Sequence, residues 1–235
     1  MVKVGWITFH RWLFLEEQAP DTLVIPAPEG AVWWHSGADS PIGPNGFRTG
    51  RGCSWAGAGF YEDEAEAHHV LDELEAQFTD LPAFAENFHC LLRPIRFFGD
   101  CRWLDGANAE LAVAASDPGG PVVVLTSAGY DDTGPDQYAR MRDFRENVDR
   151  VRAWYDTIDG NIVNGSFTTG TDGMTFSLWR SDKSLRDAAY GEGLHRTQLD
   201  RQKSERMADR TSYTRTRMMR HLGTWNGRDP VSEVV

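Results

Sequence analysis

The stretch TFSLWRSDKSLRDAAYGEGLH, residues 175–195, gathers the side chains from which a reactive site could be built. It ends on His195, just past Gly191 and Gly193, where a helix is expected to start. An imidazole there could ligate a metal, move a proton near neutral pH, or be a buried polar residue with no chemistry. In the strand that opens the stretch, side chains alternate. Met174, Phe176, Leu178 and Arg180 share one face, and Thr175, Ser177 and Trp179 share the other. Further on, TRTRMMRHLGTW (214–225) reads as a strand that puts Arg215, Arg217, Met219 and His221 on one face. Facing water, that row is merely solvated; facing the interior of a barrel, it is a cationic lining suited to carboxylates.

The other candidate chemistries fall away. His68 and His69 are adjacent on an acidic helix, so their side chains point about 100° apart and cannot easily share a metal. His10, His35 and His89 are isolated in or beside strands. No H-E-x-x-H pair, facial triad or regular ligand spacing is present, so a non-haem metal is not suggested. Cys53, Cys90 and Cys101 form no C-x-x-C pair, against a disulfide framework and against structural zinc. FRTGRGC (47–53) has glycines before a cysteine, as in the thiolate loop of cytochromes P450. Its spacing is one residue short and Trp55 stands where that loop needs glycine, so it reads as turns or as a lid. There is no G-x-S-x-G elbow, no Walker loop and no G-x-G-x-x-G between strand and helix.

Composition sets the class. The chain has 235 residues, 40% hydrophobic and 25% charged, with a formal net charge of −11. That suits one large domain or two small ones, and an acidic balance argues against nucleic acid as a partner. No apolar run approaches the roughly 18 residues of a membrane span. The N-terminus shows no signal pattern, so a cytoplasmic address is expected. Nine tryptophans are core material or the walls of a pocket for a flat ligand.

The elements that must position these residues follow from periodicity. Strands are expected at 2–9, 53–61 and 88–97, the last with an edge or bulge at Pro94. A loop is expected over 37–52 and a helix from Glu62 to Phe78, with Ala65, His68, Leu71, Leu74 and Phe78 as its apolar stripe. Residues 105–120 read as a linker. The second half gives a strand at 120–130 and a helix from Pro135 to Ile158, with Tyr138, Met141, Phe144, Val148, Val151 and Tyr155 inward. Strands at 161–167 and 173–180 follow, then a helix capped by Ser181, a helix over 194–209 and a strand at 214–225. That order is the ferredoxin-like split βαβ arrangement, and the first half gives a blurrier version of it. The expected fold is therefore α+β, two ferredoxin-like halves forming an α+β barrel, residues 1–116 and 117–235.

TFSLWRSDKSLRDAAYGEGLH, together with GTWNG at 223–227, resembles the spheroidene monooxygenase (carotenoid ketolase) family, with its T-F-S-x-W-R-S stretch and a histidine a few residues after an F-A-Y-like segment. GFRTGRGCSWAGAGF and GPVVVLTSAGY are similar to other parts of it. The resemblance implies a haem b (iron) enzyme on a dimeric α+β barrel, like aldoxime dehydratases, chlorite dismutases and dye-decolorising peroxidases. It makes His195 the axial iron ligand, Arg215 and Arg217 propionate partners, and Arg180 a distal polar group or a further propionate partner. Trp179, Phe176 and Tyr190 become pocket walls. The proximal histidine then needs an acceptor for its second N–H. The family's aromatic before A-Y is Ala188 here, which reshapes a pocket wall or repacks a core. The expected activity is a haem-dependent monooxygenase or other oxidoreductase on a small or medium organic substrate, in specialised metabolism. It would use an unidentified electron donor or peroxide, and a homodimer is one assembly. The other readings are a haem-dependent dehydratase acting on an N–O group, a cofactor-free barrel monooxygenase, and a non-enzymatic haem or small-molecule carrier.

Overall fold

Strand-forming sequence dominates the computed structural model, which describes residues 1–15, 23–43, 53–100, 109–131 and 134–234. Ten strands and five α-helices are assigned among them. The first half gives β1 (Val2–Val4), β2 (Trp6–Leu13), β3 (Trp33–Asp39), β4 (Ser54–Tyr61), α1 (Glu64–Asp72), α2 (Leu74–Gln77), β5 (Glu86–Gly99) and β6 (Ala109–Leu111). The second gives β7 (Val122–Gly129), α3 (Pro135–Tyr155), β8 (Asn161–Thr169), β9 (Asp172–Trp179), α4 (Asp182–Tyr190), α5 (Leu194–Glu205) and β10 (Arg210–Gly223).

Eight of these strands close into a barrel of order β10-β5-β2-β4-β3-β8-β9-β7. Each half contributes the same antiparallel pattern, its fourth strand beside its first, then its third, then its second. The α+β barrel expected from element order is therefore present. The halves meet along two seams of different length. β5 and β10 pair from Gly99↔Ser212 to Phe88↔Gly223. Between β3 and β8, among the described residues, the register holds one pair, Ala38↔Thr168. Gly37 allows that approach, because a Cβ there would run into the Thr168 carbonyl. Asp39 then receives Arg152 of α3 at 2.6 Å and the Ser166 hydroxyl at 3.0 Å.

Side chains alternate across the barrel wall. Phe9, Phe88, Phe167, Met174, Phe176, Leu178 and Met218 fill the interior. Trp225, just beyond β10, closes one end by lying near-parallel to Phe176, ring centroids 5.6 Å apart, with the Arg11 guanidinium 4.3 Å over its ring. The GTWNG turn that delivers it is held by Glu86, which accepts from Thr224 Oγ1 and from the backbone N–H groups of Asn226 and Gly227.

The structure corrects several expectations. The first strand breaks at Gly5, where the Arg93 side chain passes and donates to the glycine carbonyl. Residues 37–39, expected as loop, belong to β3, for which the sequence pattern predicts no strand. Residues 109–111 are not linker: they form β6, parallel to β1 from Val2↔Ala109 to Val4↔Leu111. The acidic helix turns its Ala67–Val70–Leu71 face inward and leaves Ala65 exposed, because Asp63 caps the Ala65 N–H and fixes the phase. No helix appears among the described residues between β2 and β3. Pro94 sits at a register shift in the β5–β10 seam, as its missing N–H suggests. Ser181 caps α4, accepting from the Ser184 N–H at 3.1 Å. Residues 44–52 of the glycine-rich loop, and Cys101, lie outside the described residues.

Candidate functional site

His195 is the second residue of α5, and three elements fix its position. Ser181 starts α4, which ends at Tyr190 with Gly191 folded back so that its N–H reaches Asp187 O. Gly193 opens α5 and lies against the Trp154 ring of α3, where a Cβ would meet the indole at 2.7 Å. The imidazole is thereby brought beside Tyr155, ring centroids 6.0 Å apart, and to the last turn of α4.

There His195 Nδ1 lies 3.0 Å from the Ala189 carbonyl oxygen. A carbonyl only accepts, so Nδ1 carries the proton and the neutral ring keeps its lone pair on Nε2. Nε2 has no hydrogen-bond partner among the described residues. Burial pushes the His195 pKa below the ordinary histidine value, and the Ala189 hydrogen bond opposes this only in part. The ring is therefore neutral at pH 7, in the tautomer that a metal ligand needs. The acceptor that the sequence could not identify is a backbone carbonyl. It left no side-chain signal to read.

Around this ring the outer face of the second-half sheet supplies Trp179 and Tyr213. Trp179 is buried against Val122, Val124, Leu185 and Ala188. It meets the Tyr155 ring edge-on at 5.0 Å. Ala188 thus repacks the core beneath α4. Tyr213 stacks on Phe98 at 4.8 Å, and burial pushes its hydroxyl up to about 12. Tyr190 and Leu194, which end α4 and begin α5 on either side of the turn that leads to His195, are 55% and 43% exposed.

The expected site residues do not all converge. Phe176 points into the barrel, on the opposite face of β9 from Trp179, so the two cannot wall one pocket. Arg215 and Arg217 do share a face, turned outward beneath α4, where Asp182 lies 3.3 Å from Arg215 and 2.7 Å from Arg217. His221 does not join them: a register shift between Met218 and Arg220 turns it toward Phe88. Arg217 is committed, with Asp117 gripping Nε and Nη2 at 2.8 and 2.6 Å. Arg215 is less so, since its buried Nε has no acceptor. Arg180 pairs with the exposed Asp159 at 2.6 Å.

The residues present fit a haem on three counts: a neutral imidazole with Nε2 free, a guanidinium with an orphaned N–H, and aromatic side chains, Tyr155 beside the imidazole and Tyr213 two residues from Arg215. Two cavities lie elsewhere, and His195 lines neither. One of about 60 Å³ is bounded by Thr126, Tyr130, Phe144 and Thr175, and one of about 570 Å³ lies under α2. No described helix is long and apolar enough to cross a membrane.

No protein-family profile matches the chain, and no curated protein does. Among solved structures it is similar to an aldoxime dehydratase in complex with butyraldoxime, at 12% identity and a TM-score of 0.57, over 99% of this chain and 86% of that one. A second aldoxime dehydratase structure gives 10% identity and 0.57, over 99% and 88%. At such identities the likeness concerns the fold. An anthrone oxidase-like protein is more distant, at 11% identity and a TM-score of 0.33 over 93% of both chains.

Proposed function

We propose that the chain is a haem-dependent enzyme of small-molecule metabolism, with His195 as axial ligand. One observation carries this reading: the Ala189 carbonyl holds Nδ1–H and leaves Nε2 unpartnered. Arg215 is the first propionate partner, through its unsatisfied Nε. Arg217 can serve only by giving up part of its hold on Asp117 or Asp182. Arg180, tied to Asp159, is the remaining cation for a polar role. Trp179 and Tyr190 belong with this site, whereas Phe176 supports it from behind the sheet. In this reading the unit 117–235 carries the cofactor, and 1–116 completes the barrel.

Bound there, haem iron would supply either oxygen or peroxide activation, or Lewis acidity toward an N–O group. The aldoxime dehydratase likeness favours the second, so an aliphatic aldoxime is the first substrate to assay. The chain's own residues orient the imidazole, keep it neutral and surround it with apolar surface. A carotenoid ketolase activity has the 175–195 resemblance behind it, and no comparison adds to that.

Titration of the purified protein with hemin tests the reading. A Soret band should appear at one equivalent, and His195→Ala should abolish or shift it while the far-ultraviolet circular dichroism is kept. An unchanged Soret band in that variant removes His195 as ligand. A folded wild-type protein that takes up no haem leaves the cofactor-free oxygenase.

A further inference from the structure

α1 and α2 stand in the first half where α4 and α5 stand in the second, after the third strand of the sheet and before the fourth. The place that corresponds to the His195 region is therefore the outer face of β2 and β5 beneath α1 and α2. That face also carries histidines. His10 and His89 are direct partners across the β2–β5 pairing, and their Nδ1 atoms lie 3.0 Å apart. His10 is enclosed by rings, with Trp12 at 5.8 Å, Trp34 at 5.9 Å and Phe78 at 5.0 Å between centroids. Gly57, its neighbour on β4, has no side chain, and the Trp34 indole occupies that space.

Two nitrogens 3.0 Å apart share one proton, and the surroundings decide its owner. His10 Nε2 is buried without a partner. A bare ring nitrogen is tolerated there better than an N–H with nothing to donate to. His10 therefore keeps its proton on Nδ1 and donates to His89 Nδ1. His89 is left with Nε2–H, for which the described residues supply no acceptor. His89 lines the cleft of about 570 Å³ whose other apolar walls include Trp12, Leu74, Phe78, Leu81 and Phe84. Asp72, Glu73 and Glu75 stand at its rim; Asp72 is paired with Arg220 at 2.6 Å, so Glu73 and Glu75 carry the rim's negative charge, and neither Lys nor Arg lines the cleft. Flat aromatic walls suit a flat ring, a lone N–H requires an acceptor, and the acidic rim repels anions.

We propose that this cleft is a second binding site, which takes a flat, uncharged aromatic molecule and donates a hydrogen bond from His89 Nε2 to its carbonyl oxygen. The site is separate from the haem reading and stands or falls without it. Burial keeps His89 neutral, its pKa lowered to about 3, so the donor persists at physiological pH.

Chromone, a planar ketone with no proton to give, is the probe, followed by isothermal titration calorimetry at pH 7.5 and by the imidazole ¹⁵N resonances. Chromone should bind one per chain and shift His89 Nε2. Affinity should fall at least tenfold for naphthalene, which lacks the acceptor, and for chromone-2-carboxylate, which carries the wrong charge. Phe84→Glu alters an exposed wall residue without touching the histidines and should weaken chromone to a similar degree. The paired change His10→Leu with His89→Leu removes both polar partners, preserves the fold and should have the same effect on chromone. Absence of chromone binding up to about 1 mM, the weak limit for a specific small ligand, would overturn the proposal. So would equal affinity for the three probes, or binding unchanged in either folded variant.

Discussion

Three histidines are almost wholly buried in their neutral form, and acid should act on the protein chiefly through them, with the partly exposed His195 adding in the same direction. His10, His35 and His89 are 0%, 8% and 2% exposed. Burial lowers each pKa, to about 4 for His35, about 3 for His89, and well below the ordinary value for His10, where His89 adds a smaller push in the same direction. Their pKa in the unfolded chain is about 6.5. Below pH 6.5 the unfolded state therefore binds protons that the folded state refuses. The stabilisation is complete above that value, lost as pH falls toward the folded pKa values, and constant below them. At pH 5 each histidine then costs about 2 kcal/mol, and the three together about 6 kcal/mol, which rivals the whole stability of an ordinary domain. Carboxylates with lowered pKa values, such as Glu86 and Asp117, act mainly below pH 5, so the window from 6.5 to 5 isolates the histidines. Urea unfolding followed by tryptophan fluorescence at half-unit steps from pH 8 to pH 5 measures the slope. It should be near zero above pH 7 and approach about 4 kcal/mol per pH unit near pH 5. The variant with leucine at both 10 and 89 should keep about a third of that slope. A stability flat from pH 8 to pH 5, or a slope unchanged in that variant, would show that these buried histidines do not set the acid sensitivity.

Two further outcomes follow from packing. Trp225→Ala removes a ring that is 4% exposed and packed near-parallel against both Phe9 and Phe176, and should destabilise by about 3–5 kcal/mol in urea unfolding at pH 7.5; a loss under about 1 kcal/mol would mean that the barrel end is closed by other groups. Gly37→Ala drives a methyl group into the Thr168 carbonyl and should cost about 1–3 kcal/mol. In the same variant, amide exchange should accelerate in β3 and β8 and stay slow across β5–β10; uniform acceleration would contradict a local effect.

Where sequence order was informative, the reason was local chemistry. The second half was legible because each signal acts within a few residues: the apolar run of β7, the Ser181 cap, and the period-two pattern of β9 that separates Phe176 from Trp179. The first half was less so because its pattern is interrupted by small residues. β3 reads as WWHSGAD, and only the meeting of Gly37 with Thr168 in space explains its glycine. The row Arg215–Arg217–His221 was misread at its end because a bulge inverts the alternation, and no residue type announces a bulge between Met218 and Arg220. The Ala189 acceptor is a main-chain atom. The His10–His89 pair joins residues 79 apart whose meeting depends on the β2–β5 register.

The unequal seams have a consequence for how the chain can assemble. Among the described residues, opening β3 from β8 breaks one register pair, the Asp39–Arg152 ion pair and the hydrogen bonds from Ser166 to Asp39 and from Thr169 to the Ser36 carbonyl, and leaves each half with an intact four-stranded sheet joined through β5–β10. The edges so bared are β3 and β8, complementary to one another but not bound to come from the same molecule. At high concentration two opened chains can reclose reciprocally, β3 of each on β8 of the other, into an exchanged pair that holds two barrels and buries no new kind of surface. Asp39 and Arg152 would then act as a latch on molecularity, because the same contact that closes one chain on itself would, once released, close it on its twin.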